Sequence, residues 1–463
     1  MSKSKDLGTR SIPQLLASQS IPAAIGFMVM TLNMVVDTIF VGQYIGKLAI
    51  GAISVVMPIS FLMSSVGMAI GIGGSSIVSR AFGAKDQEKA QLTFNNQISL
   101  TLILITIILA GGYIFYEPII TLFGAQGDLF SFSESYYLIT LLGIPFLSLA
   151  MMANNNLRAE GKPRVAMLIL IIPSVVNMFM DWVLIVLFDM GIEGAAWATT
   201  LSNVAAGSFM IFYYLSGKTE LRVTPSLFRL KKNIVNEITR LGLVSLMRQG
   251  SISLLTIVLN HSLFYYGNQA GIGGETAISI YAIPNRIAMF AFFPLIGLSQ
   301  GFIPIAGFNY GAQSYKRVKE VVRLAIVWGL IIAGFLTLLL LLGSNFIPTI
   351  FANEQEVDLL HYAPQAIFVI FFATPVVIFQ LIGSSYYQAI GKAMPALFLA
   401  LTKQFFFLTP FVLIFPLFAG FEGIWYAFPA ADIMSALICY YFLRIGMKKL
   451  DTKQINTETS LAN

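Results

Sequence analysis

Apolar residues do not alternate with polar ones along this chain but gather in long runs separated by short polar connections. That spacing is the one lipid imposes: a helix needs about 20 apolar residues to cross the hydrocarbon core, whereas a membrane strand needs only about ten and alternates. The pattern predicts helices over roughly 14–40, 49–78, 94–122, 131–157, 164–187, 192–215, 236–266, 275–308, 318–350, 360–388, 394–417 and 421–444. Twelve crossings place both chain ends on one side of the membrane. Composition sharpens this, because 57% of the 463 residues are hydrophobic and only 11% are charged, against about 25% charged in soluble domains.

Charge then gives the orientation. All but four of the 28 Lys and Arg residues fall at the chain ends or on one alternate set of connections. The longest of these, 216–235, carries Lys218, Arg222, Arg229, Lys231 and Lys232. The four exceptions are Lys47 in an opposite loop and Arg248, Arg286 and Lys403 within spans. Cytoplasmic loops collect basic residues, so both termini are expected in the cytoplasm, with the protein in a bacterial inner membrane. The formal charge of +6 is thereby spread over short loops facing anionic lipid, which argues against a nucleic-acid partner.

The halves repeat. At an offset of 228 to 230 residues, Gly83-Ala84 falls on Gly311-Ala312, and Pro145 with Arg158-Ala-Glu-Gly-Lys162 falls on Pro375 with Gln388-Ala-Ile-Gly-Lys392. Gly191, Glu193, Gly194 and Ala198 fall on Gly420, Glu422, Gly423 and Ala427. Six spans separate the copies, so the halves share an orientation, as in transporters whose lobes face a central site. The expected fold is all-α, with an N-terminus at 1–13, an N-lobe at 14–215, an inter-lobe loop at 216–235, a C-lobe at 236–445 and a tail at 446–463.

A charge inside a span costs about 2.5–3.5 kcal/mol on insertion scales, so each such residue needs a reason. The acids are Asp37, Asp181 and Asp432. Asp37 shares a helix face with Asn33 one turn earlier, Asp181 shares one with Asn177, and Thr199 enters the sixth span from the same outer side. At 1.5 Å per residue these groups lie about 10 Å below the outer surface, in three helices of one lobe. Two carboxylates with an amide and a hydroxyl would make an oxygen-rich pocket for a proton or a hard cation such as Na⁺. Held together away from water, such a carboxylate pair can share, take up and release a proton. The alternative is polar glue between helices. Yet at the repeat offset Asn177 and Asp181 meet Phe406 or Phe407 and the neighbourhood of Pro410, while Thr199 meets Phe428. Pure scaffold would have survived in both lobes.

The C-lobe has Arg286, Lys403 and Asp432 near midplane, read as a charge network, with Gln249, Asn260, Arg286 and Asn33 as candidates to line a substrate cleft. Nineteen Met and 38 Phe residues supply adaptable surfaces for lipophilic, aromatic and cationic ligands. Gly67, Gly71, Gly73 and Gly74 precede no Lys-Ser/Thr and read as close helix contacts rather than a phosphate loop. His261 and His361 stand alone, Cys439 is the only cysteine, and no G-x-S-x-G occurs. Neither an enzyme nor a cofactor beyond a coupling ion is expected.

Several segments resemble the multidrug and toxic compound extrusion (MATE) family across residues 14–445. They are Pro22 to Gly42 with its Val-Asp37-Thr, Ser79-Arg80-Ala-Phe-Gly83-Ala84, Arg158-Ala-Glu-Gly161-Lys-Pro163, Asn177 through Asp181 to Gly194-Ala-Ala-Trp-Ala-Thr199, and Gln300 to Pro304 with Asn309-Tyr-Gly311-Ala312. The likeness is greatest to its MepA-like and DinF-like branch. The resemblance implies two six-helix lobes in a V, exporting cationic lipophilic drugs or toxic compounds in exchange for inward H⁺ or Na⁺. It also implies an N-lobe ion site at Asp37, Asn177, Asp181 and Thr199. NorM-type acids in the seventh and tenth helices are missing, so coupling is expected to rest on the N-lobe. A monomer in contact with membrane lipid is expected. The alternative activity is a flippase for a lipid-linked saccharide or other amphiphile, which would want more cleft-facing cations for pyrophosphate than Arg248, Arg286 and Lys403 supply.

Overall fold

In a computed structural model describing residues 3–224, 229–351 and 357–462, the apolar runs fold as helices, and no strand occurs among the described residues. Lipid offers no hydrogen-bonding partner to a backbone, so a spanning segment must satisfy its own N–H and C=O groups. The order begins with α1 (Lys3–Thr9), α2 (Ile12–Tyr44), α3 (Lys47–Gly83), α4 (Gln87–Ile114), α5 (Tyr116–Leu122), α6 (Asp128–Leu141), α7 (Ile144–Ala159), α8 (Pro163–Asp181) and α9 (Gly191–Leu215). It continues with α10 (Lys232–Gln269), α11 (Gly274–Ala291), α12 (Phe293–Gly311), α13 (Tyr315–Leu342), α14 (Ile347–Phe351), α15 (Val357–Phe372), α16 (Val377–Ala389), α17 (Ala393–Leu401), α18 (Thr409–Ile414) and α19 (Pro416–Ala462). Among the described residues, nine helical stretches are long and apolar enough to cross a membrane. Two more crossings come from the bent pairs α6 with α7 and α11 with α12. The 25-residue α9 occupies the remaining expected span, its hydropathy diluted by Thr199, Thr200, Ser202 and Asn203. Leu122, Leu342 and Phe418 are more than three-quarters exposed. Leaving such side chains in water would cost about 1.5–3 kcal/mol each, which lipid contact removes.

Two of the expected spans are broken rather than continuous. The run at 131–157 bends by 52° between α6 and α7, and the run at 275–308 bends by 40° between α11 and α12. Each second segment carries a proline in its first turn, Pro145 and Pro294, where the missing N–H costs no helical hydrogen bond. Two further spans loosen into π turns, at Trp182–Leu187 after α8 and at Thr402–Leu408 after α17.

The repeat reappears as backbone geometry. Lys85 and Gln313 are both left-handed, at φ 61° and 56°; so are Gly161 and Gly391, at 73° and 80°, and Gly191 and Gly420, at 56° and 58°. The punctuation residues of the repeat are thus the positions that end or turn helices.

By packing, the chain divides into unit 1, Met1–Thr9 with Ile25–Leu243, and unit 2, Arg10–Ala24 with Val244–Asn463. One dividing point falls between α1 and α2, and the other two inside α2 and α10. The connection at 216–235 belongs with unit 1, although its residues 225–228 lie outside the described residues. Within unit 1 the start of α10 lies on α3: a Cβ on Gly73 would overlap the Ile238 carbonyl, and one on Gly242 would come within 2.6 Å of the Ala69 carbonyl. Within unit 2 the start of α2 lies on α12: a Cβ on Gly301 would overlap Ser20, and one on Gly297 would come within 2.7 Å of Ala24. Gly73 and Gly301 are 228 residues apart, so one repeated glycine in each unit receives the opening segment of the other half's first span. Gly67 and Gly71 serve the contact of α3 with Ser148 and Met152 of α7.

Each unit has its own core. That of unit 1 includes Val56, Ile120, Tyr136, Tyr137, Leu141 and Ile185, and that of unit 2 includes Leu259, Ile280, Phe371, Ile424 and Trp425.

Candidate functional site

Unit 1 brings together the polar residues singled out in its spans. Asp37 sits two turns before the end of α2, with Asn33 one turn earlier. Asn177 lies on the last turn of α8, and Asp181 is its final residue, where regular helix gives way to the π turn. A π turn is often found at a functional position because it re-aims side chains and frees backbone groups. Asp37, Asn177 and Asp181 are all buried. The two carboxyl groups face each other within direct reach.

A residue not singled out in the sequence completes the group. Tyr136, on α6, is buried, its hydroxyl 3.4 Å from that of Thr199 on α9 and close to both carboxyl groups. The signal available was a phenolic hydroxyl placed within an apolar run on the outer side, which hydropathy treats as ordinary aromatic surface.

The hydrogen bonding of this cluster is strikingly incomplete in chemical terms: Asp37 Oδ1, both Asp181 oxygens, Asn33 Oδ1 and Asn177 Nδ2 are buried without a partner. Each buried polar group left unmade costs about 1–3 kcal/mol, and more if charged. Among the described residues no Lys or Arg pairs with either carboxylate. Two ionised carboxylates side by side away from water repel, and a proton or cation held between them removes that repulsion. Carboxylate, amide and hydroxyl oxygens are the donors that a hard monovalent cation takes. No three His, Cys, Asp or Glu side chains converge among the described residues.

Unit 2 differs. Lys403, second residue of its π turn, pairs with Asp432 of α19 at 2.6 Å. Arg286 is exposed on α11 and takes no part, so the expected network of three is a pair plus a separate surface cation. Of the other cleft candidates, Gln249 is exposed on α10 and Asn260 half-buried. Arg248 donates to Ser384 Oγ at 3.1 Å.

The repeated turn after α7 is also charged. Glu160 is fully buried, 2.5 Å from Lys162 Nζ, and accepts from the Glu220 backbone N–H at 3.1 Å. Lys162 donates as well to the Lys218 carbonyl, while Ser4 of α1 donates from both its N–H and its hydroxyl to the Glu220 carboxylate. Burial pushes the Glu160 carboxyl up, against the opposing pull of Lys162.

Comparison with known proteins follows these lines. The profile of the MatE family matches residues 22–183 and 254–414, one segment in each half. The chain is 26% identical over 447 residues to the multidrug export protein MepA of Staphylococcus aureus, covering 94% of this chain and 95% of that one. It is 28% identical over 338 residues to MepA of Staphylococcus saprophyticus, covering 73% of each. Its fold is similar to that of a MATE in complex with MaL6, with a TM-score of 0.91 at 23% identity over 98% of this chain and 100% of that one. It is also similar to an outward-facing multidrug resistance MATE family transporter of the MOP superfamily, with a TM-score of 0.90 at 23% identity over 96% and 98% of the two chains.

Proposed function

Because the chain belongs to the MATE family of membrane transporters, we propose that it is an ion-coupled exporter of drugs and other small lipophilic cations, driven by H⁺ or Na⁺ moving inward on unit 1. The observation that carries this reading is the set of unpartnered buried polar atoms around Asp37 and Asp181. A resting scaffold would fill such positions with donors from its own side chains; a carrier leaves them for an ion that comes and goes.

In the loaded state the Asp37–Asp181 pair holds a proton between its oxygens, or holds Na⁺ with help from the Thr199 hydroxyl and the Asn177 amide turned to present its oxygen. Tyr136 donates to whichever oxygen is left over and keeps Thr199 oriented. A cationic cargo and the coupling ion are then attracted by the same negative charge. Binding of one weakens binding of the other, and this mutual exclusion is what antiport by alternating access requires. The MepA relatives carry "multidrug export" in their names, which supports drugs as the cargo class. The reading places the protein in the bacterial cytoplasmic membrane, both termini inside, working as a monomer surrounded by lipid.

Drug efflux from membrane vesicles, with a pH gradient and a Na⁺ gradient imposed separately, tests the proposal. One gradient should drive efflux, and Asp37→Asn or Asp181→Asn should abolish it at unchanged expression. Efflux that persists in both variants, or needs neither gradient, overturns it.

A further inference from the structure

Among the described residues, the membrane-spanning part of unit 2 holds one buried ion pair. Lys403 Nζ is 2.6 Å from Asp432 Oδ1, with the side chains 13% and 3% exposed. The same ammonium stands 5.8 Å from the centre of the Phe292 ring, within the range at which an aromatic face attracts a cation. A carboxylate at contact distance and an aromatic face are the two groups that recognise an alkylammonium ion. Here the ion they hold is tethered to the chain.

The backbone is arranged to deliver it. Lys403 rides on the π turn Thr402–Leu408, which widens the helix by one residue per turn. Gln380 Nε2 donates to the Ala400 carbonyl at 3.2 Å, and the Thr402 hydroxyl donates to that of Leu399 at 2.8 Å. Two side chains are thus committed to stabilising an irregular turn whose result is the placement of one ammonium. The compensation of the buried Asp432 Oδ1 is its charge-assisted contact with Lys403.

We infer that Asp432 and Phe292 form an alkylammonium-binding site that the protein's own Lys403 side chain fills. The inference goes beyond the efflux reading and stands on the geometry of unit 2 whichever ion unit 1 carries.

Replacing Lys403 with Ala removes three methylenes and the ammonium, the outline of propylammonium. Purified Lys403→Ala should show a lowered unfolding midpoint that propylammonium chloride restores saturably by several degrees. Equal NaCl or propanol should not restore it. Neither the parent protein nor Lys403→Ala/Asp432→Asn should respond, and Lys403→Ala/Phe292→Leu should need several-fold more propylammonium. If Lys403→Ala does not survive solubilisation, the yield of monodisperse protein solubilised with and without propylammonium gives the same readout. No restoration in either measurement, or an equal response with Asp432→Asn present, overturns the inference.

Discussion

Unit 1 and unit 2 each loosen the fifth span of their half into a π turn beside a buried charge, then treat that charge in opposite ways. In unit 1 the turn follows Asp181, which faces Asp37 with no Lys or Arg partner among the described residues. In unit 2 the turn carries Lys403, which pairs with Asp432. Among the described residues, one scaffold therefore supports an acidic pair without a counter-charge and, in the other half, an acid paired with a lysine. At the repeat offset Trp182 falls beyond the end of the Thr402–Leu408 turn, so the two halves loosen the same span at different points and place different charges there.

The comparison can be broken most forcefully in unit 1, where Asp37→Asn or Asp181→Asn should reduce gradient-driven efflux to background in the vesicle assay. Next in size is Asp432→Asn in unit 2. It strands a buried ammonium, and breaking a buried pair from one side costs about 3–5 kcal/mol. The unfolding midpoint of the purified protein should fall clearly, and Lys403→Met/Asp432→Asn should recover most of the loss. Tyr136→Phe should be milder, removing one hydrogen bond worth about 0.5–1.5 kcal/mol. The coupling-ion concentration for half-maximal efflux should rise several-fold with the maximal rate little changed.

The smallest effect lies outside the membrane. Glu160 is held above the ordinary carboxylate value of 4.5 by burial. A carboxyl whose pKa is higher folded than unfolded binds its proton more tightly in the native state. Its contribution therefore favours folding at acid pH and fades as pH climbs above the ordinary value. Chemical denaturation at several pH values should show that slope, and Glu160→Gln should flatten it.

Much of this was legible in the amino-acid order because membrane insertion is governed by run length, a local property. The expected spans and the shared outer depth of Asp37 and Asp181 follow from spacing along each helix. The breaks ahead of Pro145 and Pro294 were not legible, since hydropathy measures length and is blind to bending. Nor were the π turns, which add one residue to a helical turn without changing its hydropathy. Arg286 shares its depth with Lys403 and Asp432 but not its direction, and depth alone suggested a network. Tyr136 escaped because its polarity is a single atom on a large apolar body.

The placement of Arg10–Ala24 in unit 2 and of Lys232–Leu243 in unit 1 has a consequence for biogenesis. As the chain leaves the ribosome, unit 1 is complete once Leu243 has emerged, whereas Ser20 must wait for Gly301 before it meets its native neighbour. The opening of the first span is thus among the last segments to be packed. A chain cut in the 216–235 connection would leave the first half without its α10 segment and the second without its α2 segment. Neither half could finish alone, and expressed together from separate messages they would have to trade segments to become whole.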